Sequence, residues 1–263
     1  MRRGRSVRTL ALAGALLGAA SAQAETVTVY AAGSLRGVVA ALTADAVPMG
    51  IEVHAVFDGA GALRARIEAR KAGDEQPDLF LSADMSSPQA LASAGRSLLP
   101  PVAFARNRLC VVAQRATALS PNTLIDGLLA KSVRLKTSTP KVDPAGDYAM
   151  AMFDRIEQQR PGAGMALRTK AEQEKGTAGT AATLLLAHRI DAVVTYCSAV
   201  RDLEKTVPDV VGVAVPAEFD PHPVYGLSLL TDKPAAMRVA LLLLSEKGQD
   251  AVSQSGLTPM LAP

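Results

Sequence analysis

The chain has 263 residues, enough for one large domain or two lobes of ordinary size. Its formal charge of +3 belongs to the first residues, as shown below, and so gives no electrostatic footprint for nucleic acid or anionic lipid. Tryptophan is absent, with four Tyr and five Phe in all, which argues against recognition of sugars or bases by stacked aromatics.

The opening "MRRGRSVRTLALAGALLGAASAQA" has a basic start, an apolar stretch and Ala22-Gln23-Ala24 before a cleavage point. Residues 1–24 are therefore expected to be a cleavable signal peptide, with the mature chain in the periplasm. The apolar stretch is too short to span a bilayer. The leader holds Arg2, Arg3, Arg5 and Arg8 and no acid, so of 28 basic and 25 acidic residues 24 and 25 remain, net −1.

"TVTVYAA" (26–32) reads as a strand that stops at Gly33-Ser34. Leu35, Val38, Val39 and Leu42 then recur at the spacing of one apolar helix face. "IEVHAVF" (51–57) reads as a second strand, "DGAG" as a turn, and "ALRARIEARKAG" as a helix closed by Gly73. A short strand (77–83) and a helix closed by Gly95 follow. The grammar then repeats: strand 108–114, helix 120–129, strand 133–138, and a helix from Pro144 with Tyr148, Met152, Phe153 and Ile156 on one face. Helix 180–189, strands 191–196 and 210–216, a return strand 224–231 and helices 234–245 and 246–255 complete the chain.

Strands alternating with helices predict an α/β fold with mostly parallel sheets. The best crossing points lie near 104–108 and 221–225. They predict a discontinuous lobe 1 (25–105 plus 225–263) and an inserted lobe 2 (106–224). Ligands of such sheets bind where loops feed helix N-termini.

Four such junctions stand out: Gly33-Ser34, Asp58-Gly59-Ala60-Gly61, Pro144-Ala145-Gly146 and Gly179-Thr180. A helix start leaves N–H donors unsatisfied and carries partial positive charge, and small residues let a ligand approach. Together they could hold a tetrahedral oxyanion without lysine or arginine. Each junction also reads as simple capping or a tight turn. Asp58, which would repel a dianion, is expected to cap the helix starting at Ala60 and face away.

Cys110 and Cys197 face an oxidising compartment after export, and both fall in or beside strands of the inserted lobe. A disulfide is expected if those strands are neighbours, two buried thiols being the alternative. With His54, His188 and His222 scattered, no metal-ligand spacing appears. No G-x-S-x-G element occurs, which leaves an exported hydrolase the weakest reading.

Six segments in order resemble the periplasmic molybdate-binding proteins of ABC importers. They are "VTVYAAGSLRGVV", "DLFLSAD", "NRLCVVAQ", "DPAGDYAMAMF", "RIDAVVTY" and "LLLSEKGQDAVSQSGLTP". The resemblance implies a two-lobed type II periplasmic binding fold with a cleft between lobes. It implies a non-enzymatic protein without cofactor or metal that captures molybdate or tungstate as an oxyanion. As a monomer, it would deliver this cargo to a membrane ABC permease and bind no nucleic acid. Matched residue by residue, the ligand contacts would be Ser34, Ala60 with Gly61, Ala145, the Thr180 region and the Tyr196 hydroxyl. Ala60 stands where the family has a serine, so sulfate, another small anion or an organic solute stays open.

Overall fold

The computed structural model describes residues 24–71, 73–74 and 76–260. The expected signal peptide, save Ala24, lies outside them. The chain begins β1 (Glu25–Ala32), α1 (Arg36–Ala46), β2 (Ile51–Asp58), α2 (Ala60–Glu68), β3 (Leu79–Ser82), α3 (Ser86–Ser93) and β4 (Val102–Arg106). Its middle runs β5 (Leu109–Gln114), α4 (Leu124–Leu129), β6 (Leu135–Lys136), α5 (Pro144–Gln159), α6 (Ala163–Gln173), α7 (Ala181–Leu186), β7 (Ala192–Tyr196), α8 (Val200–Thr206) and β8 (Val210–Ala214). β9 (Val224–Leu229), α9 (Pro234–Leu244), α10 (Glu246–Gln254) and β10 (Thr258–Pro259) follow.

The strands form two sheets, ordered β10-β4-β9-β3-β1-β2 and β6-β7-β5-β8. Helices flank both, giving a two-lobed α/β protein. The sheets are mixed, however, where mostly parallel ones were expected. Only β1 with β2, β1 with β3 and β6 with β7 run parallel. The reason is topological: β9 re-enters the first sheet between β3 and β4, antiparallel to both. In the second sheet the central β5 opposes both of its neighbours.

Apolar periodicity located the core well. Leu35, Val38, Val39 and Leu42 are all buried, as are Met152, Phe153 and Ile156 of α5. α7 packs on a separate small core, with Leu184 and Leu185 against Val112 and Val193. Two helices escape the sequence pattern. α6 follows Pro161-Gly162, a breaker signal, and buries only Leu167 and Ala171 among its large or apolar side chains, with Gly164. Its start is fixed by Glu157, which accepts from Gly162 N–H at 2.7 Å and Met165 N–H at 3.0 Å. α8 has no fully buried residue, so it shows little apolar period. α2 ends at Glu68, short of Gly73, because Asp74 accepts from Lys71 N–H (2.8 Å) and holds a turn there.

The chain crosses between sheets at residues 107–108 and again between β8 and β9. The two crossovers are tied by Asn107 N–H donating to Pro223 C=O at 2.9 Å. Fully buried Asp220 accepts from Leu109 N–H (3.4 Å) and His222 N–H (2.9 Å), with the Arg108 guanidinium 3.5 Å away. A buried carboxylate needs such partners to remain charged.

Cys110 and Cys197 form a disulfide, with Cα atoms 4.8 Å apart. Cys110 lies in β5, and Cys197 follows directly on β7, which pairs with it. The bridge closes a sequence separation of 87 residues. Replacing both cysteines by alanine should lower stability by about 2–5 kcal/mol, chiefly by freeing the unfolded chain. Urea denaturation of the oxidised protein and of the double variant checks this. Equal midpoints would show that the bridge constrains nothing the fold does not already hold.

Candidate functional site

β1 ends at Ala32, and Gly33-Ser34-Leu35 turn the chain into α1. Leu35 is buried and anchors the turn, while Ser34 stays half-exposed. Ser34 Oγ lies 3.1 Å from Tyr225 Oη, at the start of β9. Tyr225 is fully buried, and its oxygen accepts from Asn107 Nδ2 at 3.1 Å. The same nitrogen donates to Ser198 Oγ at 2.9 Å, two residues beyond Tyr196. A continuous hydrogen-bond chain therefore links the Ser34 turn to the Tyr196 turn through the first crossover.

Three tyrosine rings meet at this place, edge-on and tilted. The Tyr196 ring centroid is 5.8 Å from that of Tyr225 and 6.4 Å from that of Tyr148. Tyr148 Oη accepts from Val224 N–H at 3.3 Å. The buried Tyr196 hydroxyl has no hydrogen-bond partner among the described residues. Buried hydroxyls are ordinarily paired, which sets this one apart. Burial, first of all, pushes the Tyr196 phenol well above its ordinary range, with Tyr225, Asp143, Tyr148 and Asp84 adding to the rise. Burial also pushes Tyr148 up to about 12. All three phenols stay protonated at neutral pH and can donate.

The second pair of junctions meets across the lobes. The starts of α2 and α5 belong to different sheets, yet Ala62 N–H donates to Val142 C=O at 3.1 Å. A Cβ on Gly59 would lie 2.3 Å from the Val142 oxygen, and one on Gly61 2.0 Å from the Lys141 oxygen. Only glycine permits this backbone contact. Ala60, between them, is fully buried.

The helix starts are more occupied than their sequences suggest. Asp143 is the N-cap of α5 and accepts from Ala145 N–H at 3.0 Å, so that donor, expected to face an anion, already has a carboxylate on it. Thr180 caps α7 by accepting from Thr183 N–H at 3.2 Å, and is exposed. Its hydrogen bonds stay within that cap and do not reach Ser34 or Tyr196. Asp58 does not cap α2. The N-cap is Gly59, and Asp58, exposed one position earlier, accepts only from Gly59 N–H at 2.8 Å. The β2 ladder continues to Asp58, so the N-cap position falls one residue later, on Gly59.

The structure thus joins Ser34 to Tyr196 through Tyr225, and brings Ala60 and Gly61 to the loop leading into Ala145. Tyr148, one turn along α5 from Ala145, meets the Tyr196 ring, so the two groups share the start of α5. Sequence reading missed Tyr225, Asn107, Ser198 and Asp143. Asp84 is a further acid there; it accepts from Ser86 Oγ (3.0 Å) and Ser87 Oγ (3.1 Å) at the start of α3. Among the described residues, no group of three or more His, Cys, Asp or Glu side chains could hold a metal ion. Nor is any helix among them long and apolar enough to cross a membrane.

Known proteins are similar to this chain in sequence or in fold over most of its length. An uncharacterized protein of Pasteurella multocida (strain Pm70) is 30% identical over 219 residues, covering 80% of this chain and 88% of that one. Among solved structures, the sulfate-binding protein SubI of Mycobacterium tuberculosis H37Rv superposes with a TM-score of 0.75 at 14% identity, over 90% of this chain and 87% of its own. The Azotobacter vinelandii periplasmic molybdate-binding protein gives 0.68 at 18%, over 90% and 99%. Iron-bound HitA of Pseudomonas aeruginosa gives 0.65 at 19%, over 90% and 86%. These three share the fold and differ in what they bind. The sequence model of the bacterial extracellular solute-binding proteins matches residues 27–258, and the chain belongs to that family.

Proposed function

We propose that this protein captures a small tetrahedral oxyanion, molybdate or tungstate first, between its two lobes and delivers it to an ABC permease. In this reading it is exported to the periplasm, acts as a monomer and catalyses no reaction. Its lobes are 25–105 plus 225–263 and 106–224. The observation that carries the reading is the buried, partnerless Tyr196 hydroxyl beside the Ser34–Tyr225 contact. Ser34 belongs to one lobe and Tyr196 to the other, so a ligand touching both favours the closed state. Ala60 and Gly61 contribute helix-start N–H groups. Ala145 contributes its own only if Asp143 yields it, and Thr180 only if its cap opens.

The panel that tests this is molybdate, tungstate, sulfate and phosphate, read as thermal shift. A selective ligand at a hundredfold excess over its Kd stabilises the native state by about 2.7 kcal/mol. Ser34→Ala should weaken that anion by about 1.5–3 kcal/mol, the value of a hydrogen bond to a charged group. An unshifted melt with all four anions would reject the oxyanion reading.

One feature favours a second reading. Asp143 accepts from Ala145 N–H, which sets a carboxylate at a proposed anion contact and would suit a cation such as ferric iron instead. Asp143→Asn separates the two. It should tighten an oxyanion by removing a like charge and weaken a cation by removing an opposite one.

A further inference from the structure

We infer that the hydrogen-bond chain through Asn107 makes Tyr225 the donor to Ser34, which leaves the Ser34 proton free to donate into the cleft. The use of that proton by an anion rests on the oxyanion reading; the donor assignment does not.

The direction of the chain follows from its first member. Asn107 Oδ1 lies 2.8 Å from the backbone nitrogen of Arg108, which can only donate. The amide oxygen therefore faces Arg108, and Nδ2 faces the two hydroxyls. Its two protons go to Ser198 Oγ and Tyr225 Oη. Tyr225 is fully buried, so its own proton needs an acceptor. Ser34 Oγ, 3.1 Å away, is that acceptor. If Ser34 donated instead, the Tyr225 proton would be left buried and unmet. Ser34 thus receives a proton from behind, and its own points to its half-exposed side.

Asn107 and Tyr225 are in this account positioning residues for Ser34. A fully deprotonated oxyanion matches the outward donor. The polarity runs from a backbone N–H that cannot reverse, so Ser34 cannot donate to Tyr225 without leaving a buried proton unpaired.

Two measurements test the inference. Neutron diffraction on the deuterated wild-type protein should place the Tyr225 hydroxyl deuteron on the line to Ser34 Oγ. A Ser34 deuteron pointing at Tyr225 would overturn the assignment, whatever the protein binds. Calorimetric titration with molybdate and sulfate then compares Asn107→Asp, Tyr225→Phe and the double variant. Asp at 107 accepts where Asn donated, so Tyr225 turns its proton toward it and Ser34 donates inward. Anion affinity should fall at least about tenfold. Adding Tyr225→Phe removes the inward acceptor and should restore most of that loss, although the new charge remains. Equal losses in the single and double variants would assign the effect to charge and overturn the relay. Wild-type protein that binds neither anion, with the deuteron as expected, would reject the oxyanion reading and uphold Ser34 as a donor.

Discussion

Tyr196→Phe should make the ligand-free protein more stable and its anion complex weaker. The two effects have one cause. The Tyr196 hydroxyl is buried and lacks a partner, so the empty protein bears the cost of desolvating it. Such an unsatisfied group costs ~1–3 kcal/mol, and phenylalanine removes it without changing the ring that packs on Tyr225 and Tyr148. In the complex the same hydroxyl donates to a charged oxygen, and its loss should weaken binding by ~1.5–3 kcal/mol, about 10- to 150-fold. Chemical denaturation without ligand and calorimetry with it measure the two sides. A Phe variant that is less stable when empty would mean that the hydroxyl already has a partner, and the site would lose its main support.

Gly61→Ala should weaken the anion through closure, with no ligand contact removed. The added Cβ would fall 2.0 Å from a backbone carbonyl oxygen of the facing lobe, which has no flexible end to swing aside. Relief requires the starts of α2 and α5 to part, breaking the Ala62–Val142 hydrogen bond. Overpacking of this kind costs ~1–3 kcal/mol, here borne by the closed state alone. Apparent Kd should rise about 5- to 150-fold, as the closed population falls. The open protein, with the lobes apart, gains a good helix former and should unfold no sooner than wild type. Small-angle scattering with saturating anion should then give a larger radius of gyration for the variant. A variant that closes and binds like wild type would show that this contact plays no part in closure.

Much of this was legible in the sequence because it is local. The strand-to-helix turn at Gly33-Ser34, the apolar face of α1 and the helix behind Asp143-Pro144 each follow from a few adjacent residues. What escaped depends on pairing across long separations. Ser34 and Tyr225 are 191 residues apart, and although 224–231 reads as a return strand, nothing in it gives its neighbours or its direction in the first sheet. The mixed sheets were missed for the same reason, since alternation of strand and helix cannot reveal a strand inserted later. Asn107 looked like a linker residue, yet the crossover buries it and uses its whole amide. At Ala145 the sequence did not show occupancy. The helix start is real, but Asp143, two residues before, takes its donor. α6 and α8 lack enough buried apolar residues to show a period.

The central claim is that one anion bridges Ser34 and Tyr196 between the lobes. A crystal structure of the protein with molybdate tests it most directly. The account predicts molybdate oxygens within hydrogen-bonding distance of both Ser34 Oγ and Tyr196 Oη, with Tyr225 behind Ser34. Molybdate seated elsewhere, with both hydroxyls untouched, would contradict it; the cavity of about 530 Å³ between residues 137–140 and α6, beside Arg168 and Lys175, is the place to look.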